Sequence, residues 1–401
     1  MNTQYADASS QGQDIVIVAA KRTPMGGFQG SLSAVTSPKL AATAIKALIT
    51  QTSIAPDSID EVFMGCVLPA GLGQAPARQA TLGADLPLSV GASTVNKVCG
   101  SGMKTVMLAH DAIKAGSCEV VIAGGMESMS QAPYLLDKAR SGMRMGHGKV
   151  MDHMFLDGLE DAYTGGAMGT FAQKTADDFG LTREQMDNFA LSSLEKANAA
   201  INSGAFKDEI VPVIVSDRRG DITIDTDEQP GNARPEKIPT LRPAFAKDGT
   251  ITAANSSSIS DGAAALMLMT REKAASLGLE VLATIKGHAT HAQEPAMFTT
   301  APVGAMSKLL DKVNWQKDEV DLFEINEAFA MVTMLAINEL GLDASKVNVN
   351  GGACALGHPI GCSGARLLVT LIYALKARGL KRGVASLCIG GGEATAMAIE
   401  V

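Results

Sequence analysis

The chain has 401 residues, of which 46% are apolar, 19% charged and only 4% aromatic, and its net charge at neutral pH is −8. This length and apolar content exclude a disordered chain and a small disulfide-stabilised protein, and they predict two or three domains with hydrophobic cores. The 34 basic and 42 acidic residues form no long run of either sign, which argues against a nucleic-acid partner.

The N-terminal segment, Met1 to Gln13, is polar and lacks the apolar stretch of a secretory signal. We predict that it is a frayed tail and that the protein is cytoplasmic. Apolar, uncharged segments such as Ala328 to Ile337 are shorter than the roughly 20 residues needed to cross a bilayer, so no membrane association is predicted. The six cysteines include no Cys-x-x-Cys pair and are expected to be reduced.

The same pattern of elements occurs twice in the sequence. A predicted helix precedes the strand-like run Ile59 to Gly65, and another precedes Val320 to Asn326. Further along, Ser101 and Ser363 each open a Ser-Gly sequence and a long apolar helix, and each helix leads into a strand that ends in glycines. The fold is therefore predicted to be duplicated.

The strands that follow those two helices are apolar without alternation, as expected for strands buried on both faces. We predict a duplicated α/β fold in which a central layer of helices lies between two sheets, giving five layers, αβαβα. The N-terminal half is predicted at 1–127, completed by 251–280, and the C-terminal half at 281–401.

The segment 128–250 has a different character and is predicted to be an inserted loop domain. Seven of the 20 methionines fall between residues 126 and 168, where they either fill gaps in a core or form a flexible lid over a long ligand. The sequence predicts a helix at 182–203 with Thr182 as its N-cap, a hairpin or extended region at 210–226, and an exposed loop at 229–243.

Cys99 lies in a predicted loop that leaves a strand and enters an apolar helix. The positive end of that helix and the neighbouring Lys97 both favour a thiolate, so the sequence predicts a depressed pKa for the Cys99 thiol. Glycines on both sides of Ser101 let a substrate carbonyl approach backbone N–H groups, as an oxyanion site requires. The alternative is that Cys99 is a buried packing residue.

His358 lies in the glycine-dense segment Gly351 to Gly361, where packing explains a histidine poorly. In the register of the repeat this loop takes the place of the Cys99 loop, so pseudo-symmetry brings the two residues toward a common centre. The imidazole can then accept the thiol proton. The alternative is an exposed loop histidine.

Two further polar residues follow or end predicted strands. Cys388 closes a buried strand shortly before three glycines, so its thiol is expected in the same central space beside free N–H groups. Asn326 follows a strand at the end where ligands of α/β proteins collect, and it either holds a water or substrate oxygen or starts the next helix. Two cysteines and a histidine on loops indicate acyl transfer, whereas the pair His288 and His291 has no companion cysteine, so no metal is predicted.

Taken together, these motifs resemble those of the thiolases, and within them the acetyl-CoA acetyltransferases. The resemblance covers nearly the whole chain, from Arg22-Thr23-Pro24 to the terminal Cys388-Ile389-Gly390-Gly391-Gly392. The segments Asn96 to Met103, Asn326 to Ala330 and Gly357 to Gly361 complete the pattern, which is specific as a set although each motif alone is weak.

The resemblance implies a two-step exchange between CoA thioesters. Cys99, activated by His358, takes an acetyl group as a thioester, and Cys388 removes an α-proton from a second acetyl-CoA, whose carbanion attacks that thioester. Cleavage of acetoacetyl-CoA or another 3-ketoacyl-CoA by CoA is the reverse. Two oxyanion sites are implied: His358 with a water held by Asn326, and the N–H groups of Cys99 and Gly390. Beyond these substrates, no cofactor is implied.

Contacts to CoA and an assembly are also implied by the resemblance. The predicted CoA-binding residues are Leu159, Met168, Arg234, Lys237, Ala253, Ser256, Ser257, Ala328 and Phe329. Of these, Arg234 and Lys237 are the predicted partners of phosphate or ribose. A homotetramer built as a dimer of dimers is implied, with Pro133 to Met151 as its tetramer-forming loop.

This sequence departs from the common pattern of the family at several positions. A histidine usually precedes the Met-Gly pair at 168–169, but here Ala167 does, and Gly166 replaces a larger residue, so the acyl pocket is predicted to be roomier. The loop at 229–240 is shorter than usual. The segments at 237–239 and 301–303 resemble a branch that accepts 2-methylacetoacetyl-CoA, some members of which bind potassium.

Three other functions compete with this prediction. A thiolase for broader or medium-length 3-ketoacyl-CoA in fatty-acid β-oxidation is favoured by Ala167. A ketoacyl synthase is disfavoured, because that decarboxylative chemistry tends to use histidines where this sequence has Cys388. A non-catalytic acyl-CoA-binding protein would not need to retain both cysteines, His358 and Asn326.

Overall fold

Strands and helices alternate along most of the chain in the computed structural model, which describes residues 14–218 and 220–401. The predicted frayed tail at 1–13 lies outside these described residues. The strands are β1 (Ile15–Arg22), β2 (Gly26–Gly27), β3 (Glu61–Gly65), β4 (Gly91–Val95), β5 (Val120–Ser128), β6 (Tyr134–Leu135), β7 (Met151–Asp152), β8 (Val213–Asp217), β9 (Gly220–Ile224), β10 (Ser260–Thr270), β11 (Ala283–Ala292), β12 (Leu322–Ile325), β13 (Arg382–Ile389) and β14 (Glu393–Glu400). The helices are α1 (Ser37–Thr52), α2 (Pro76–Gly83), α3 (Ser101–Lys114), α4 (Met168–Asp178), α5 (Arg183–Ser203), α6 (Glu228–Asn232), α7 (Arg271–Ser276), α8 (Ala301–Val313), α9 (Ala330–Leu340), α10 (Ala353–Leu356) and α11 (Ile360–Arg378).

Two groups of four strands have the same order and the same pattern of parallel and antiparallel pairs. In the first, β3–β5–β10–β1, the leading pair is parallel and the others are antiparallel, and β12–β13–β14–β11 repeats this arrangement. The groups join where β1 meets β11, through the pairs Val16–Thr284 and Ile17–Ala283. The predicted duplication is therefore confirmed by the topology.

Helices α3 and α11 form the layer between the two groups of strands. They cross at Gly102 and Gly364, the glycines matched in the sequence repeat, where an added Cβ on either helix would overlap backbone atoms of the other. Helix α11 contacts strands of both groups, while α1 and α8 cover the outer faces. The predicted central helical layer is confirmed.

Helix α11 owes its burial to a continuous apolar surface. Four leucines, at 367, 368, 371 and 375, are fully buried, each contributing about 1.5–3 kcal/mol of transfer free energy. Among the described residues, α11 is the one helix long and apolar enough to cross a membrane, but 83% of its apolar window is buried inside the protein. Its composition is that of a core helix enclosed between two sheets.

The insertion contains the predicted helix and hairpin. Thr182 caps α5, because its Oγ1 accepts from the Gln185 N–H at 3.2 Å while the Gln185 side chain accepts from the Thr182 N–H at 2.8 Å. Strands β8 and β9 pair antiparallel, which confirms a hairpin within 210–226.

The predicted exposed loop at 229–243 is largely exposed, but the prediction that it is a loop throughout is wrong. It contains helix α6 and a helical turn, Pro235–Thr240. Asp227, the residue before α6, is buried and accepts from the two terminal guanidinium nitrogens of Arg22, Nη1 and Nη2, at 2.7 and 2.9 Å. This long-range ion pair fixes the start of the helix, and local sequence signals could not reveal it.

Candidate active site

The predicted site residues converge on one cavity of about 500 Å³, located where the loops after β4, β12 and β13 meet the insertion. Those that line it are Cys99, His358, Cys388, Gly390, Leu159, Met168, Ala253, Ser256, Ser257, Ala328 and Phe329. Asn326 is fully buried beside His358, whereas Arg234 and Lys237 are exposed and do not line the cavity. Eleven of the predicted residues thus face a common space.

Cys99 is presented by a tight turn between β4 and α3. Val98, the residue before it, has φ +46°, a left-handed conformation that is strained for a β-branched side chain. The Ser101 hydroxyl holds this turn, because it donates to the Val98 carbonyl at 2.6 Å and accepts from the Lys97 N–H at 2.8 Å. The strained turn directs the thiol into the cavity at the start of the central helix.

The predicted depressed pKa of Cys99 is wrong. Burial raises the pKa of the Cys99 thiol to about 11, although the N–H groups of Gly390 and of Cys99 itself donate toward the sulfur and offset part of this effect. Lys97, expected to stabilise the thiolate, forms an ion pair with Glu393 instead. Cys99 is therefore a neutral thiol at neutral pH in the free protein.

This neutral state predicts how alkylation depends on pH. Below a pKa of about 11 the thiolate fraction rises tenfold for each pH unit, so the rate of Cys99 alkylation by iodoacetamide should rise about tenfold per unit between pH 6 and 9. Peptide mapping should identify Cys99 as the site, with acetyl-CoA protecting it and the half-exposed Cys118 as the reference thiol. A rate that levels off near neutral pH would show instead that His358 holds a thiolate.

His358 is a buried, neutral imidazole. Burial, aided by the positive charge of Arg366, lowers the pKa of His358 to about 3. Its Nδ1 lies 2.5 Å from the hydroxyl of Ser363, which in turn donates to the Pro359 carbonyl at 3.0 Å. Because the hydroxyl proton is used there, Ser363 accepts from Nδ1–H, and the lone pair of Nε2 is left free.

Asn326 lies next to that free nitrogen. Its Nδ2 is 3.5 Å from Nε2 of His358, and its backbone N–H donates to the Ser386 carbonyl. The Asn326 Oδ1 is buried and has no partner among the described residues. The N-cap of the following helix α9 is Phe329, so Asn326 does not start that helix.

Cys388 and Gly390 approach Cys99 from the end of β13. Burial raises the pKa of the Cys388 thiol well above its ordinary value, and its electrostatic interaction with Cys99 raises it further. The Gly390 N–H reaches the Cys99 sulfur, beside the N–H of Cys99. Two thiols and two convergent N–H donors therefore share one end of the cavity.

Two buried carboxylates that position the active-site loops escaped the sequence analysis. Glu127 on β5 accepts from the N–H groups of Val67, Leu68 and Gly361 at 2.9–3.1 Å, and burial raises its pKa to about 7. Glu327 accepts from the Ser193 hydroxyl, the Asn348 amide and the Cys354 N–H. An acidic residue at the end of an apolar strand was the signal for Glu127.

The aromatic wall of the cavity was also not predicted from the sequence. Four phenylalanines contribute to it: Phe28, Phe155, Phe245 and Phe298. Phe329 packs edge-on against Phe245 and Phe298, with ring centroids 6.2 and 6.4 Å apart. These residues come from four separate segments, and no periodic pattern links them.

Comparison with protein families matches both parts of the chain. Residues 15–272 match the family described as "Thiolase, N-terminal domain", and residues 279–401 match "Thiolase, C-terminal domain".

Curated proteins and a crystal structure agree with these matches. The chain is 51% identical over 389 residues to the acetyl-CoA acetyltransferase of Pseudomonas aeruginosa, covering 96% of this chain and 99% of that protein. It is 52% identical over 390 residues to the acetyl-CoA acetyltransferase of Escherichia coli K12, covering 97% of this chain and 99% of that protein. The crystal structure of the Bacillus anthracis acetyl-CoA acetyltransferase superposes with a TM-score of 0.95 at 42% identity, covering 98% of this chain and 100% of that one.

Proposed function

Because the chain belongs to the thiolase family, we propose that it is an acetyl-CoA C-acetyltransferase, which converts two molecules of acetyl-CoA into acetoacetyl-CoA and CoA and catalyses the reverse cleavage. The observation that carries this proposal is the convergence of Cys99, His358 and Cys388 on one apolar cavity. Two thiols and a neutral imidazole supply a nucleophile and proton carriers without a cofactor.

In the first half-reaction the Cys99 sulfur attacks the carbonyl carbon of acetyl-CoA. Nε2 of His358 takes the thiol proton as the carbon–sulfur bond forms, which avoids a separate, costly ionisation of a thiol with a pKa near 11. The N–H groups of Cys99 and Gly390 stabilise the oxyanion. The bond to CoA then breaks, and the departing CoA thiolate recovers the proton, leaving acetyl-Cys99.

In the second half-reaction Nε2 of His358 takes the proton of the Cys388 thiol, and the Cys388 thiolate removes an α-proton from another acetyl-CoA. Burial makes this thiolate strongly basic, as abstraction of a weakly acidic carbon-bound proton requires. The enolate oxygen accepts from the protonated Nε2–H of His358 and from a water bound to Asn326. The carbanion attacks acetyl-Cys99, and Cys99 leaves as a thiolate that takes the proton from Nε2 of His358.

Ser363 is a positioning residue in this mechanism. Its contact with Nδ1 of His358 selects the tautomer whose free Nε2 faces the reacting atoms. Asn326 approaches Nε2 of His358 and limits rotation of the ring.

For CoA we propose a site along the same cavity, with the insertion as one wall. Leu159 and Met168 from the insertion and Ala253, Ser256 and Ser257 line one continuous surface with Ala328 and Phe329. This apolar surface suits the pantetheine arm. The exposed Arg234 and Lys237 are proposed to contact the phosphate or ribose groups outside the cavity.

The assembly, location and domain division are further proposals. We propose a cytoplasmic homotetramer in which Pro133 to Met151 joins two dimers, since Tyr134 and Met145 expose large apolar side chains there. The domain boundaries proposed are 1–127 with 251–280, 128–250, and 281–401. Strand β10, which lies within 251–280 and pairs with both β1 and β5, supports the first of these.

A preference for longer 3-ketoacyl-CoA is the second candidate function, favoured by the small Ala167 in the cavity wall. A series of kcat/KM values for CoA-dependent cleavage of 3-ketoacyl-CoA of increasing chain length separates the two. We expect the highest value for acetoacetyl-CoA and a progressive fall for longer chains. Values that rise with chain length would support the second candidate.

The matched variant for this series is Ala167→His, which introduces a larger side chain at the cavity wall. It should lower cleavage of longer chains more than cleavage of acetoacetyl-CoA, by roughly 10-fold or more. Equal losses for all chain lengths would show that Ala167 does not limit the acyl pocket.

A further inference from the structure

A second cluster of chemically reactive side chains lies away from the cavity. His110 and Asp111 are near the end of α3, about eleven residues after Cys99, which corresponds to roughly 16 Å along a helix. His288 comes to them from β11. His291, the other histidine of the pair noted in the sequence, bonds to Gln293 and does not join this cluster.

The three side chains have donor atoms close enough to share one ion. Nδ1 of His110 and Nε2 of His288 lie 2.9 and 3.0 Å from the same carboxylate oxygen of Asp111. All three donor atoms are within 4.8 Å of one another. Ligands of a tetrahedral zinc ion, bound at about 2.0–2.1 Å, are separated by roughly 3.3 Å, so small side-chain shifts would accommodate the ion.

Burial lowers the pKa of both His110 and His288, which favours the neutral imidazole that a metal ion needs. On binding an ion, the protons that Nδ1 of His110 and Nε2 of His288 donate to Asp111 move to the other nitrogen of each ring. Hydrogen bonds from the two rings outweigh the effect of burial and lower the pKa of Asp111, which remains a carboxylate. The elements that carry the donors, α3 and β11, are a helix and a strand, which preorganise the site.

The surrounding charges restrict the kind of ion. Lys114, Lys286 and Lys312 line the adjoining cavity of about 330 Å³ with Asp14, and Lys312 donates to the His288 carbonyl at 3.0 Å. Asp14 is paired with Arg271, and Lys286 lies 3.6 Å from Glu400. This positive excess weakens the binding of any divalent cation, so the two imidazoles decide which ion binds. They favour a borderline ion such as Zn²⁺ over Mg²⁺ and Ca²⁺, which prefer oxygen ligands.

We propose that His110, Asp111 and His288 bind a divalent transition-metal ion of the zinc class. The fourth position faces the lysines and takes water or a small anion. Because α3 belongs to the first set of repeated elements and β11 to the second, the ion ties the two together and stabilises the folded state by mass action. The site is independent of the acetyl-transfer chemistry.

The test is to titrate the full-length, EDTA-treated protein with Zn²⁺ alone. Calorimetry measures binding, and the shift in Tm measures stabilisation. We expect binding at this site, a raised Tm, and no comparable effect of Mg²⁺. His288→Ala should weaken binding at least tenfold and remove the Tm shift. His147→Ala, which removes an exposed histidine outside the cluster, is the control and should bind as the parent does.

Cysteine thiolates are also zinc ligands and the six cysteines are free, so the comparison between variants decides the result. Asp111→Asn keeps the shape of an exposed side chain and guards against a folding defect, and its CoA-dependent cleavage activity should equal that of the parent. It should lose zinc affinity as His288→Ala does. Parent-like affinity in both variants, or an unchanged Tm of the parent with zinc, would overturn the proposal.

Discussion

Replacing Cys99 by alanine should abolish both cleavage and synthesis of acetoacetyl-CoA, with kcat/KM falling by at least about 10⁴-fold. The variant retains the cavity and the oxyanion N–H groups but cannot form the acyl-enzyme. Steady-state assays in both directions measure the loss. Mass spectrometry after mixing with acetyl-CoA should show the acetyl adduct on the parent and none on the variant.

Cys118→Ala is the matched control for this experiment. Cys118 is a half-buried thiol beyond the other end of α3 and does not line the cavity. Its loss should leave both activities at the parental level. If Cys99→Ala were as active as the parent, the nucleophile would be a different residue and the proposed mechanism would fail.

The repeat made the general form of the fold predictable from sequence. Matched Ser-Gly sequences at 101 and 363 identified the two central helices, and the same register placed His358 opposite Cys99. The two helices can touch only because Gly102 and Gly364 have no side chain at the crossing point. The sequence motif that marks each helix therefore also supplies the residue that its packing requires.

What escaped the sequence analysis depends on tertiary contacts. The effect of Lys97 on Cys99 was misjudged because Glu393, almost three hundred positions away in the chain, forms an ion pair with it. The raised pKa of Cys99 follows from burial under segments that only the fold brings together. The helix at 228–232 depends on the Arg22–Asp227 ion pair in the same way.

The raised pKa values of both thiols explain how the pair avoids unproductive chemistry. The neutral, partly buried thiol of Cys99 reacts slowly with alkylating agents and oxidants, and it becomes a nucleophile toward a bound thioester when His358 accepts its proton. The thiolate of Cys388, once formed, is a strong base held in an apolar enclosure. The same burial that lowers the resting reactivity of the site therefore increases the driving force of the second proton transfer.

Replacing Cys388 by alanine should separate the two half-reactions. Condensation should fall by roughly 10²–10⁴-fold, because no base remains to take the α-proton, while acetyl transfer from acetyl-CoA to Cys99 persists. Synthesis of acetoacetyl-CoA measures the first activity. Exchange of labelled CoA into acetyl-CoA measures the second without requiring a carbon–carbon bond.

Cys362→Ala provides the control for removing a buried thiol. Cys362 is fully buried in α11 and does not line the cavity, so its loss should lower the free energy of unfolding by about 1 kcal/mol and leave the ratio of exchange to synthesis unchanged. In Cys388→Ala that ratio should rise by the factor by which synthesis falls. If a folded Cys388→Ala protein lost exchange and synthesis equally, Cys388 would be needed for acetylation as well, and the assignment of a separate base to the second half-reaction would be wrong.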